Sequence, residues 1–240
     1  CVFVEEAGDV TAINTSAPTE LAFEGKLDEV ETLLRIRPSS DGSEFIAVAV
    51  DGLNDNGETA LMGAASRGHA DVCEVLIKHG ADLSVRKINT GKLALHYAAE
   101  AGHAEVVVLM VQKGADINAP AKIKGDGGIF RGDYRTPLHL ACAQSHEHVV
   151  ALLVQGIEVK KRTVWASWDV VDGSGMTPLH LCASRNLVDS ARLLLDIRCP
   201  VDSRDNMNQT PLHHAVMDMG RDVLEELLAR GADPMRDTDH

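Results

Sequence analysis

Aromatic side chains are nearly missing from this sequence: four Phe, two Tyr and two Trp in 240 residues. Any core must therefore be assembled from Leu, Val, Ile and Ala. Long apolar runs are missing too. The longest, such as FIAVAV (45–50) and VVVLMV (106–111), are six residues, against the roughly 20 that a membrane-spanning helix needs. Cations are in deficit, with 23 Lys and Arg facing 36 Asp and Glu and a formal net charge of −13. That balance argues against broad binding to a phosphate backbone, which requires clustered Lys and Arg, and against nucleic acid as the main partner. The five cysteines, Cys1, Cys73, Cys142, Cys182 and Cys199, are odd in number and scattered. This pattern favours reduced thiols and an intracellular setting, cytoplasmic or nuclear, over a disulfide framework.

Catalytic and metal-binding motifs are absent as well. No C-x-x-C, HExxH, GxSxG or GxxxxGK[ST] occurs, and KGDGGIFRG (124–132) lacks the spacing of a phosphate-binding loop. The sequence thus indicates a non-catalytic protein with no cofactor, metal or membrane insertion.

What is present is a repeat. Thr136-Pro137-Leu138-His139 returns as Thr177-Pro178-Leu179-His180 and as Thr210-Pro211-Leu212-His213. Looser copies are Thr59-Ala60-Leu61-Met62 and Leu93-Ala94-Leu95-His96, and a sixth fits Ser16-Ala17-Pro18-Thr19. Each copy leads into small residues, then Gly-His or its equivalent, then a Val/Leu-rich stretch that often ends in Gly-Ala-Asp. Thr can cap a helix, and Pro is tolerated in its first turn. Gly68 and Gly102 suit a left-handed helix end. Val72, Val75 and Leu76, like Val106, Leu109 and Met110, then place an apolar stripe on a second helix.

These tetrads and Gly-Ala-Asp endings, in phase over residues 16–240, resemble the ankyrin repeat family. The resemblance implies an all-α repeat solenoid of stacked helix–turn–helix units joined by β-hairpin fingers, and a role in binding other proteins. It makes His96, His139, His180 and His213 structural partners of their own turns, and His69, His103 and His146 part of the second recurring motif. Residues 1–15 are left as an N-terminal segment of uncertain character. The chain opens on Cys1, and Leu224, Leu227 and Leu228 lack the polar substitutions of an end unit. We therefore expect a segment of a longer protein, extending past its C-terminal end.

The tetrads start at 16, 59, 93, 136, 177 and 210, at intervals of 43, 34, 43, 41 and 33. Three junctions thus carry insertions of 10, 10 and 8 residues, each between a second helix and the next tetrad, where the family places its fingers. The first, RPSSDGSEFIAVAVDGL (37–53), has no basic cluster. The other two, 119–135 and 159–175, hold half of all the aromatic residues together with several cations. Aromatic and Arg side chains are favoured at interface hot spots. Phe130, Arg131, Tyr134, Arg135, Lys160, Lys161, Arg162, Trp165 and Trp168 are accordingly the candidate partner-binding residues, suited to an acidic or hydrophobic–acidic protein segment. The alternative is that the tryptophans only pack the insertions onto the stack. In TVWASWDVV a strand would bury Trp168 and expose Trp165, whereas a helical turn would put both indoles on one face; the alternation favours the strand.

The resemblance also nominates a groove lined by Asp55, Asn56, Glu58, Arg67, Lys92, Glu100, Gln144, Arg185, Met207, Gln209 and Met217. Three functions remain open: a freestanding adaptor or scaffold; the regulatory or targeting arm of a larger enzyme, such as a kinase or ubiquitin ligase, or of a channel; and, against the net charge of −13, nucleic-acid contact through the basic fingers.

Overall fold

The computed structural model describes residues 17–35, 50–124 and 130–235. The N-terminal segment 1–15 and most of the first insertion lie outside these residues. Twelve helices form six pairs within them: α1 (Ala17–Glu24) and α2 (Leu27–Arg35), α3 (Ala60–Arg67) and α4 (Ala70–Lys78), α5 (Ala94–Glu100) and α6 (Ala104–Gln112). The remaining pairs are α7 (Pro137–Ala143) and α8 (Glu147–Gln155), α9 (Pro178–Ser184) and α10 (Val188–Asp196), α11 (Pro211–Met217) and α12 (Arg221–Ala229). None exceeds nine residues, too short to be stable alone in water, so packing must hold them. Odd-numbered helices stack on one another in one layer and even-numbered helices in a second. The aliphatic core runs continuously between the layers through all six pairs.

The tetrads explain how each pair begins. Thr136 and Thr177 are N-caps with extended backbone, and Pro137 and Pro178 fill the first helical turn. The histidine closes the cap from within: His139 Nδ1 accepts from Thr136 N at 3.3 Å, and His180 Nδ1 from Thr177 N at 3.1 Å. This fixes the neutral tautomer with its proton on Nε2. That proton reaches the next unit, from His96 to the Arg135 carbonyl (3.2 Å), His139 to Met176 (3.1 Å) and His180 to Gln209 (3.2 Å). One side chain thus satisfies an orphan helix N–H and stitches neighbouring units. Burial holds the His96 and His139 imidazoles down to a pKa of about 4, and lowers that of His180.

Gly68 and Gly102 end first helices with φ of 79° and 80°, and a Cβ there would lie 2.5 Å from His103 Nδ1 and 2.6 Å from His146 Nδ1. Both backbone conformation and space demand glycine. The stacked imidazoles bond backward, His103 Nε2 to the Ser66 carbonyl (3.2 Å) and His146 Nε2 to that of Glu100 (2.9 Å).

Intervals depart from 33 for visible reasons. A five-residue finger turn is closed by Asn54 N–H on the Glu58 carbonyl, and likewise by Asp172 on Met176 and Asp205 on Gln209. In the third unit Lys87 N–H closes on Lys92, one residue further, which accounts for the interval of 34. The described cysteines are all buried and unbridged. Cys142 and Cys182 meet across α7 and α9 at 3.5 Å between sulfurs. Burial raises the Cys73 and Cys199 thiols to about 12, so both stay protonated near neutral pH. Among the described residues no helix is long and apolar enough to cross a membrane.

Candidate interaction surface

The second insertion extends a finger. Strands β1 (Ile123–Lys124) and β2 (Phe130–Arg131) pair antiparallel, with Ile123 opposite Arg131 and Lys124 opposite Phe130. The side chains of Phe130 and Arg131 lie outside the described residues. At the base of this finger, Ala121 N donates to the Arg135 carbonyl at 2.9 Å and Tyr134 N to that of Ala121 at 3.1 Å.

The third insertion lies at the root of its junction, on the exit of α8, before the finger proper. Residues 157–164 form a hairpin of β3 (Ile157–Val159) and β4 (Arg162–Val164), with Ile157 opposite Val164 and Val159 opposite Arg162. β-Branched residues favour the strands. Ile157 is buried, Val159 and Val164 pack against the core, and the hairpin lies against α6 of the preceding unit. Its two-residue turn is Lys160-Lys161, with φ of 46° and 71°. Positive φ at both positions matches the right-handed twist of a hairpin, and Asn-Gly is the usual occupant.

After β4 the repeat resumes in register. Ala166 N donates to the Leu153 carbonyl at 2.8 Å, as Ala115 does to Met110 and Ala81 to Leu76. Ser167 N then donates to Asn118 Oδ1 at 2.7 Å, as Asp82 does to Asp51 (3.0 Å) and Asp233 to Asp202 (3.2 Å). The partners are 31 residues apart in the two regular cases and 49 apart here. The difference equals the combined length of the second and third insertions. Trp165-Ala166-Ser167 therefore fills the place of Gly-Ala-Asp, with Trp165 standing where other units have Gly80, Gly114, Gly231 and, in the fifth, Arg198. A Cβ at any of those glycines would meet nothing within 4 Å. The slot is open to solvent, and Trp165 is 61% exposed. Trp168 is half-buried against the core. The strand ends at Val164, before both indoles.

Tyr134 makes a similar replacement. Two residues before each tetrad, Gly57, Gly91, Gly175 and Asn208 adopt φ of 71°, 68°, 77° and 64°, and Tyr134 occupies the same place at 53°. A bulky side chain is rare in this region.

The cations divide into two groups. Lys160, Lys161 and Arg162 are exposed and make no ion pair among the described residues. Arg135 instead turns to the following finger, with Nε 3.2 Å from Oδ2 of the buried Asp172. The finger residue Arg135 and the hairpin-tip residues are thus held by different elements.

The groove shows the same contrast. Lys87 and Glu58 pair at 2.6 Å, Lys92 and Glu100 at 2.8 Å, and both lysine ammoniums lie 5.9 Å from the Tyr97 ring centre. Arg67 lies 4.0 Å over the Phe23 ring. Asp55, Asn56, Gln144 and Arg185 are exposed. Met207 is an exposed finger residue, and Gln209 Nε2 approaches Met217 Sδ at 3.7 Å. Arg135 and Arg185 share a cleft of about 330 Å³ with Ala143, Met176, Leu181, Ser184 and Asp218.

Asn118 and Asp172, which hold the hairpin root and the long finger in place, were not among the candidate partner-binding or groove residues. Alignment of Asn118 with Asp51 and Asp202 carries the signal for the first. The second pair joins residues 37 apart in different fingers, and no local pattern marks it.

Two sequence profiles match the chain: one described as Ankyrin repeats (3 copies), over residues 20–121 and 163–238, and one described as Ankyrin repeats (many copies), over 95–154. An ankyrin and IPT/TIG repeat-containing protein of Schizosaccharomyces pombe is 35% identical over 69 residues, 29% of this chain and 6% of that protein. The B-cell lymphoma 3 protein of Homo sapiens is 34% identical over 109 residues, 44% of this chain and 22% of that protein. The chain therefore spans less than a quarter of the length of either relative. A chain in the solved complex of a Bdellovibrio bacteriovorus predatory endopeptidase with an immunity protein superposes with a TM-score of 0.66. That match covers 89% of this chain and 97% of the other at 18% identity, a likeness of fold alone.

Proposed function

The chain belongs to the ankyrin repeat family, and on that premise we propose that it is a non-catalytic recognition module for an acidic or hydrophobic–acidic protein segment. Ankyrin repeats generally mediate protein–protein interaction, and the family is typically non-catalytic. The observation that carries the finer reading is the replacement of two turn residues by aromatics. Tyr134 stands at a finger-turn position where the other described units use Gly or Asn, and Trp165 at a helix-exit position held elsewhere by Gly80, Gly114, Gly231 and Arg198. An indole exposed in an open slot contributes nothing evident to the stack, and a tyrosine at positive φ costs stability. Strain of that kind concentrates at functional sites. Beside Trp165, the hairpin tip offers three cations that make no ion pair among the described residues, on a chain of net charge −13. Trp, Tyr and Arg are the residues that most often dominate interface energetics.

The groove is the second contact surface. Most of its N-terminal charges are neutralised within the fold, so the cleft beside Arg185 is where it would add cationic contact. The coverage of the relatives, 6% and 22% of their lengths, supports a second reading in which these repeats serve as the targeting arm of a larger protein.

Affinity capture from the source lysate tests the proposal, comparing the native chain with Trp165→Ala, the charge-reversed Lys160→Glu/Lys161→Glu, and Arg185→Glu. Circular dichroism would first show that all four are folded. A partner lost with the first two variants and weakened by salt is expected. A partner retained by both but lost with Arg185→Glu moves recognition to the groove and refutes the hairpin reading.

A further inference from the structure

Two thiols stand where the repeat elsewhere uses alanine. The second and third units bury Ala64-Ala65 and Ala98-Ala99 in their first helices, whereas the fourth has Ala141-Cys142 and the fifth Cys182-Ala183. All these side chains are fully buried, so alanine meets the packing requirement and the sulfurs are additions to it. The two cysteines are offset by one position in neighbouring units, and the offset brings them together. Cys182 Sγ donates to Cys142 Sγ at 3.5 Å across the contact of α7 with α9. The facing sulfur, with burial, pushes the Cys182 thiol above its ordinary value, so it stays protonated while the joint is closed. Cys199, at the exit of α10 and 4% exposed, lies within electrostatic reach of both.

We infer that Cys142 and Cys182 are an oxidisable pair, joined by exchange with a small-molecule disulfide such as oxidised glutathione into a bond that ties the fourth unit to the fifth. A disulfide sets its sulfurs about 2.05 Å apart, so the pair must close by about 1.5 Å. The thiolate is the attacking species, and neither sulfur meets solvent in the closed fold. Reaction therefore proceeds through local opening of the joint. One exposed thiol loses its proton and its sulfur attacks the small disulfide, forming a mixed disulfide and releasing one glutathione thiolate. The second cysteine, deprotonated in turn, attacks the protein sulfur of that mixed disulfide and releases the second glutathione. Two protein thiols are oxidised and one small disulfide is reduced to two thiols. The bond records an opening that took place in the presence of oxidant and then opposes the next one. It also closes a loop between residues 40 apart, which contains α8, the β3–β4 hairpin and Trp165. A cross-link of that span removes freedom from the unfolded chain. The inference stands whether or not the hairpin binds a partner.

The test is incubation of the full chain with oxidised glutathione, with and without urea below the unfolding midpoint, followed by intact mass and non-reducing peptide mapping. A product lighter by two hydrogens is expected, with the bond mapped between Cys142 and Cys182 and a rate that rises with urea. Its urea midpoint should exceed that of the reduced chain, and dithiothreitol should restore the original value. Amides of α7 and α9 should exchange at least about tenfold more slowly in the oxidised form. Cys142→Ala and Cys182→Ala, which restore the residue of the second and third units, should fold and lose the gain in midpoint; Cys199→Ala should keep it. A chain that stays fully reduced at every urea concentration would overturn the inference. So would glutathione adducts that never resolve, a bond mapped from either cysteine to Cys199, or a cross-linked chain whose midpoint is unchanged or lower.

Discussion

Tyr134 and Met219 both hold positive φ, at 53° and 57°, yet they differ in what surrounds them. Met219 is 88% exposed, so its backbone strain is nearly uncompensated, whereas Tyr134 is half-buried at the finger base. A non-glycine residue costs roughly 1–2 kcal/mol in the left-handed region, and glycine returns about 0.5–1 kcal/mol of that through its greater unfolded-state freedom. Met219→Gly should therefore stabilise by up to about 1 kcal/mol, and Tyr134→Gly by less, because ring contacts are lost. Urea denaturation of the two variants measures the difference. The tetrad histidines supply a second prediction at this scale. His96 and His139 titrate near 4 in the fold and near 6.5 when unfolded. Between these values the unfolded chain binds more protons, so stability is complete above about 6.5 and falls as pH drops toward 4. The urea midpoint should decline from pH 7 to 5, and the His139 ring resonances should remain those of neutral imidazole at pH 5. A midpoint that is flat over this range would contradict the neutral-tautomer stitch.

At the scale of the element, the β3–β4 turn is built from residues poorly suited to it. Replacing Lys160-Lys161 by Asn-Gly should relieve about 1 kcal/mol or more of strain and slow exchange of the β3 and β4 amides. If binding weakens at the same time, the two lysines are retained for contact and not for geometry. The helix pairs were legible in the sequence because Thr, Pro and His recur with the same local task, and because Gly68 and Gly102 announce the helix end. The hairpin's seat was less so. An interval count places extra residues between a helix and the next tetrad, but it cannot distinguish the root of that junction from its tip. Only the bond from Ser167 to Asn118 fixes the register. The Arg135–Asp172 pair escaped for a related reason, since it joins two fingers whose approach depends on the stack. The replacement of a turn glycine by Tyr134, by contrast, was visible to anyone aligning it with Gly57 and Gly175.

At the scale of the whole molecule, the described elements form a series of contacts between neighbouring units, so stability is approximately the sum of units and the interfaces between them. Side-chain bridges at recurring positions keep the units in phase: tetrad histidines forward, Gly-His imidazoles backward, and Asx side chains at the helix exits. Asn118 and Ser167 meet as Asp51 and Asp82 do, although the interval between them is 18 residues longer, so the two insertions leave this contact between units in register. Removing 157–164 together with Trp165→Gly would return the interval of 41 to 33, and should leave helical circular dichroism and cooperative unfolding intact. The hairpin is then a passenger in a docking bay. If that deletion is tolerated, loops of other lengths and chemistries should be tolerated there too, and the array would acquire new specificities by exchanging its cargo while its frame stays the same.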